Sequence, residues 1–126
     1  MSQELFVPSE YAMLFFELFE GSSDAVFITR LTDAVLLDAN ASFLSLFALS
    51  RGLAIGRSVL ELGLWVRTGD WQSYLTALRD AGKVKGYPAR FRNRWGEEFT
   101  LALSSTLAQL RGEPVIMGIG TVVRPG

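Results

Sequence analysis

The chain has no cysteine and no histidine among its 126 residues. Without cysteine there is no disulfide, no thiolate nucleophile and no Cys-based zinc site. Without histidine there is no Ser-His-Asp triad, and with both missing no haem is held by either. No apolar run approaches the ~18 residues of a membrane-spanning helix. The opening Met1-Ser2-Gln3-Glu4 lacks the basic region of a signal peptide. Neither sign of charge prevails. Twelve basic against thirteen acidic residues leave −1, no electrostatic case for nucleic acid or an anionic membrane. With 49% hydrophobic residues the chain is not disordered. Its length suits one domain that buries roughly two-thirds of its unfolded surface. The expectation is a soluble, cytoplasmic domain.

The stretch from Val35 to Phe47 organises the rest. Val35, Leu36 and Leu37 form an apolar run bounded by Asp38, as in a strand with a buried face. Asn40 stands at an N-cap, able to accept a backbone N–H from Ser42 or Phe43. Phe43, Leu46 and Phe47 then fall on one helical face. A helix launched so tightly from a strand end must fold back over the sheet.

Before it, Pro8-Ser9-Glu10 opens a first helix over 9–20 that ends at Gly21. Tyr11, Leu14, Phe15 and Leu18 make one stripe, while Met13, Phe16 and Phe19 load the adjacent side. That is more apolar circumference than one core needs. Either the helix is wedged into its own domain, or one stripe meets a second subunit. The second reading assigns Tyr11, Met13, Phe15, Phe16 and Phe19 to a dimer interface. A strand at 25–29 and the turn 30–34 lead back to Val35, which makes an antiparallel hairpin. After a helix over 41–49 come a short helical turn, a Gly-marked corner and an apolar piece, 59–64, of open type. Asp70 caps a helix over 71–81 with Trp71, Tyr74, Leu75 and Leu78 on one stripe and Gly82 at C′. From Lys83 the period becomes two. Tyr87, Ala89 and Phe91 alternate with Arg90, Arg92 and Arg94, and a hairpin at 93–96 leads to a strand over 98–106. The last strand spans 115–123, and its Gly118 and Gly120 lie opposite Met117 and Ile119. The missing side chains imply close approach of another backbone or helix. Grouped strands and helices mean α+β, with a five-stranded antiparallel sheet carrying the middle helices on one face.

At this point the chain resembles the PAS (Per-Arnt-Sim) domain family, over 21–123. The resemblance rests on Asp24-Ala25-Val26-Phe27-Ile28 and on Asp38-Ala39-Asn40-Ala41-Ser42-Phe43. It continues through Leu49-Ser50-Arg51, Ile55-Gly56-Arg57-Ser58, Leu78-Arg79-Asp80-Ala81-Gly82-Lys83-Val84 and Arg90-Phe91-Arg92-Asn93-Arg94-Trp95-Gly96. It implies a sensor or dimerisation module, as in histidine kinases and transcription regulators, with helices and sheet enclosing a small apolar cavity. The organisation implied is a flanking helix in 1–20, the core in 21–123, and the start of a linker to an effector in 124–126. The chain departs from the family at Pro88, where many relatives carry glutamate, and at Ala48, where glycine is usual. Thr121-Val122-Val123-Arg124 also stands where Asp-Ile-Thr often couples to an output helix.

The cofactor is unknown. The flavin photoreceptor branch forms its adduct on a cysteine and the haem branch ligates iron through a histidine, so a covalent flavin adduct and His-ligated haem are excluded, while non-covalent flavin is not. What the resemblance then implies is a small organic ligand bound in the cavity, and the alternative is a ligand-free protein-interaction module whose cavity is filled by its own side chains. Candidate lining residues are Phe27, Phe43, Phe47, Leu75, Phe91, Leu101, Leu103 and Met117, each equally readable as plain core. Asn40, Tyr74 and Ser105 could hydrogen-bond a ligand, although Asn40 reads as a cap and Tyr74 as a core residue with its hydroxyl at the surface. Asp38 as a general base in a small cone-shaped isomerase is the remote alternative to a turn carboxylate. The arginines at 90, 92 and 94 read as a solvated strand face paired with Glu97 and Glu98, not as a nucleic-acid surface.

Overall fold

A computed structural model describes the backbone of residues 8–124 and the side chains from Met13 onward. Helix α1 (Pro8–Gly21) is followed by β1 (Ala25–Arg30), β2 (Leu36–Ala39), α2 (Ala41–Phe47) and α3 (Arg51–Ala54). Then come α4 (Thr68–Ala81), β3 (Lys83–Arg92), β4 (Glu98–Leu110) and β5 (Glu113–Val122). The strands form one antiparallel sheet in the order β2-β1-β5-β4-β3. The last strand is therefore central, and the hairpin of β1 and β2 closes one side of the sheet. Helices α2 and α4 cover one face, and Ala54 of α3 is buried in the same core. Among the described residues no helix is long and apolar enough to cross a membrane.

The strand-to-helix corner forms as its residue types dictate. Asn40 has extended backbone, and its side chain accepts from Phe43 N–H, which launches α2. The helix stops at Ala48, whose φ of 57° is left-handed. That is the place where the family favours glycine, because only glycine adopts that conformation freely.

Helix α4 begins three residues earlier than its sequence suggests. Arg67 is at the N-cap without a side-chain bond, and Asp70 lies in the first turn, where its charge suits the helix dipole. Gly82 closes the helix in the left-handed region. Residues 59–63 are successive turns, and they carry Val59, Leu64 and Trp65 into the core without any periodic pattern.

β3 is an edge strand, so the N–H that Pro88 lacks costs no ladder bond on the open side. Its alternation holds, with Ala89 and Phe91 buried. The arginine row does not hold as one solvated face. Arg90 pairs with Glu98 at 2.9 Å. Arg92 turns inward and donates to the Gly63 and Val66 carbonyls at 3.0 and 3.3 Å. Arg94 lies past the strand, over the Trp95 ring, and Glu97 accepts from Asn93 instead of an arginine.

β5 also faces the other way from its sequence reading. Ile116, Gly118 and Gly120 point into the core, whereas Met117 is half-buried and Ile119 exposed on the opposite face. The close approach at Gly118 is made by side chains, not by a backbone or helix. A Cβ there would run into the Phe27 ring and lie 2.6 Å from Ser105 Oγ, while Leu101 occupies the space above Gly120.

Candidate functional site

Two places on the fold could serve function: the interior between sheet and helices, and the surface where α1 meets the outer face of the sheet. The interior is walled on the sheet side by Ala25, Phe27 and Thr29 of β1, Phe91 of β3, and Leu101 and Leu103 of β4. Phe43 and Phe47 of α2, Trp71 and Tyr74 of α4, and Val59, Leu64 and Trp65 of the turns close it from above. Aromatic rings fill most of it. Phe43 and Phe47 lie 4.6 Å apart, Phe47 meets Phe91 edge-on at 5.8 Å, and Trp65 packs on Phe91 at 4.6 Å and on Tyr74 at 5.4 Å. The space left is about 30 Å³. A water molecule needs roughly 10–15 Å³ on this measure, so the interior has room for water but not for an organic molecule of drug size.

Of the residues expected to line a cavity, Phe27, Phe43, Phe47, Tyr74, Phe91, Leu101 and Leu103 do so. Three do not. Met117 stands on the outer face because the glycines of β5 take the inner positions. Leu75 is only partly buried, one step round α4 from Tyr74. Asn40 is fully buried, but its amide is consumed by the backbone. Its Oδ1 accepts from Val26 and Phe43 N–H, and its Nδ2 donates to the Phe19 and Asp24 carbonyls. Sequence reasoning missed Ala25 and Thr29, although both share period two with Phe27, and it missed Trp65 because no pattern marks a turn.

The polar groups of the interior are few. The Tyr74 hydroxyl is buried, not at the surface, and donates to Ser105 Oγ at 2.6 Å. Burial pushes the Tyr74 phenol well above its ordinary pKa, and the bond to Ser105 offsets that only in part. The Thr29 hydroxyl, also against the cavity, is buried with no partner among the described residues. Asp38 lies outside the cavity. Its carboxylate takes Arg51 at 2.9 Å and the Ala39 N–H at 2.8 Å, which is a turn and ion-pair role. Among the described residues no cluster of three or more His, Cys, Asp or Glu side chains could hold a metal.

The second place is a groove of about 720 Å³ beside α1. Phe15 and Phe19 form one wall, and Val26, Ile28, Met117 and Ile119 form the outer sheet face, with Lys83 and Lys85 at its rim. Of the helix residues expected at an interface, Phe19 is 5% exposed and packs within its own chain, with its ring 5.6 Å from Phe15. Met13 and Phe16 are 66% and 62% exposed, Phe15 is half-exposed, and Leu18, assigned to the other stripe, is 76% exposed. The Tyr11 side chain lies outside the described residues. The end of α1 is tied down by the Phe19 carbonyl on Asn40 and by Glu20 beside Arg51 at 3.8 Å.

No curated protein matches the chain in sequence. Solved structures do match in fold. The PAS domain of an HTR-like protein from Haloarcula marismortui has a TM-score of 0.75 at 20% identity, covering 91% of this chain and 93% of that one. The PAS domain of nitrogen regulation protein NR(II) from Vibrio parahaemolyticus has 0.72 at 14% identity, covering 87% and 98%. A Rhodobacter sphaeroides LOV protein has 0.68 at 16%, covering 93% and 69%. At such identities the likeness carries the fold alone. A family model described as PAS domain matches residues 13–80, just over half of the sequence. With the antiparallel sheet, the capped corner and this match in agreement, the chain belongs to the PAS domain family.

Proposed function

We propose that this PAS domain is a non-enzymatic sensory module that pairs with a second copy through α1 and regulates an attached effector, such as a histidine kinase or transcription regulator. The observation that carries the reading is the contrast between its two sites. The interior has about 30 Å³ of free space, whereas Met13, Phe16 and Leu18 stand exposed beside an apolar groove of about 720 Å³. Monomers rarely leave so many large apolar side chains of one helix in water. On this reading nucleic acid and membranes are not direct partners, and the interior filled by its own aromatics acts as a rigid core.

Sedimentation of the wild type and of Phe16→Glu tests this. The wild type should be a dimer at micromolar concentration, and a buried charge in place of an anchoring ring should weaken it by about 30-fold or more, the ~2 kcal/mol of an interface hot spot. A wild type that stays monomeric, or a folded variant that dimerises unchanged, overturns the reading.

A second reading, a small ligand in the interior, rests on one observation: the Thr29 hydroxyl against the cavity has no partner. A native mass spectrum decides it. The expected result is the mass of two chains with nothing added, since the space admits water but not an organic molecule; excess mass lost on denaturation would mean that the turns carrying Trp65 open to admit a ligand.

A further inference from the structure

On a different face from α1, three arginines border one groove. Arg57, Arg92 and Arg94 line a surface depression of about 350 Å³ whose floor includes Leu49, Leu53 and Leu62. Among the described residues, Arg30, Arg51 and Arg90 each have a carboxylate partner, whereas none of these three does. Arg92 and Arg94 are held in place nonetheless. The Arg92 guanidinium is fixed by the Gly63 and Val66 carbonyls, and the backbone N–H of Arg94 donates to the Phe47 carbonyl at the end of α2. Arg94 also lies over the ring of Trp95, 4.9 Å from its centroid, and that ring is 67% exposed. Trp65 and Trp71, by contrast, are buried.

We infer that this groove is a docking site for an acidic, apolar segment of a partner protein, its leucine-type side chains on the floor and its carboxylates on Arg57 and Arg94. The chemistry of the groove selects that occupant. Unpaired guanidiniums present forked donors that match carboxylates. A leucine floor takes aliphatic side chains, and an exposed Trp flanked by Arg is the composition of an interface anchor. A nucleic acid would need a longer basic track and several aromatic faces for its bases, and here there is a single exposed ring with Arg94 over one face. The inference does not depend on the α1 dimer, because the groove shares no residue with the one beside α1.

The probe is a short synthetic peptide of Glu and Leu in helical spacing, without tryptophan, titrated by calorimetry and by Trp95 emission. The expected result is saturable binding with a blue shift of that emission, since the other two tryptophans already lie in apolar surroundings. The double variant Arg57→Glu/Arg94→Glu should bind at least about tenfold more weakly, as expected when rim charges are reversed. Neither side chain makes an intramolecular hydrogen bond among the described residues, so the variant should fold, which circular dichroism checks. Arg67→Glu, exposed but outside the groove, should bind as the wild type does. No saturable binding below about 1 mM peptide, equal affinity for a Gln-and-Leu peptide, or equal affinity in the double variant overturns the inference. Tighter binding of a single-stranded oligonucleotide of matched charge also overturns it, by making nucleic acid the occupant.

Discussion

Replacing Asn40 with alanine should destabilise the domain by at least about 4 kcal/mol, among the largest effects a single side chain can have. Four backbone groups depend on that amide. Val26 N–H and Phe43 N–H donate to its oxygen at 2.9 Å each, and its nitrogen donates to the Phe19 and Asp24 carbonyls at 2.8 and 2.9 Å. The Phe43 N–H is an orphan of the first turn of α2, and the Phe19 carbonyl is an orphan of the last turn of α1. One side chain therefore caps two helices and joins both to β1. Loss of an ordinary cap costs about 1 kcal/mol, and each further buried group left unpaired adds roughly 1–3. Asn40 is fully buried, so water replaces these bonds poorly. Urea unfolding with an unchanged m-value measures the loss, and a value below about 1.5 kcal/mol would mean that the junction is open to solvent.

Asn40→Asp separates the two halves of this network. The carboxylate keeps both acceptor bonds but turns a negative oxygen toward two carbonyls. Full burial and that repulsion outweigh the two N–H donors, which favour the charge, and raise the folded-state pKa of the new carboxyl above its unfolded value of about 3.9. The folded state then binds the proton more tightly, so the variant gains stability relative to wild type as pH falls. The deficit should be greatest at pH 7, where the group is ionised in both states, and should shrink toward pH 4–5 as the folded carboxyl regains a proton to donate. A deficit independent of pH would show that the carbonyls of Phe19 and Asp24 have found other donors.

The junction itself was legible, because an N-cap residue followed by phenylalanines at i+3 and i+7 has few other meanings. Period two likewise placed Ala89, Phe91, Leu101 and Leu103 inward, all of them buried. What stayed hidden depended on neighbours distant in sequence. In β5, Met117 read as an inward residue because glycine has no side chain to announce a buried position. The inner face was in fact reserved for the Phe27 ring and for Leu101. Asp70 looks like a cap, yet α4 had already begun at Thr68, since packing of Trp71 and Tyr74 outweighs a single capping bond. The turns at 59–63 bring Trp65 to the centre of the aromatic cluster without periodicity, and the near-complete filling of the cavity follows from that placement. No local pattern contains that information.

The same reserved space makes Gly118 the second sensitive point. Gly118→Ala adds one methyl group, but that group would meet the Phe27 ring on one side and Ser105 Oγ at 2.6 Å on the other. Each neighbour can yield only at the cost of other packing or bonding. Phe27 packs on Phe43 with centroids 6.0 Å apart and already borders the small interior space, while Ser105 accepts the buried Tyr74 hydroxyl. Displacing Ser105 would leave that phenol unpaired, at a further cost of about 1–3 kcal/mol on top of the overpacking strain. The expected loss is about 2–4 kcal/mol in denaturant unfolding. Gly120→Ala should cost less, since its nearest obstacle is the flexible end of Leu101 at 2.9 Å. The cause is separable from any intrinsic effect of alanine in a strand. Phe27→Leu alone removes ring packing and destabilises, but in the Gly118→Ala background it also relieves the clash, so the double variant should lose at least about 1 kcal/mol less than the sum of the singles. Strict additivity would mean that the ring and the glycine do not compete for one space, and that the inward turn of β5 has another cause.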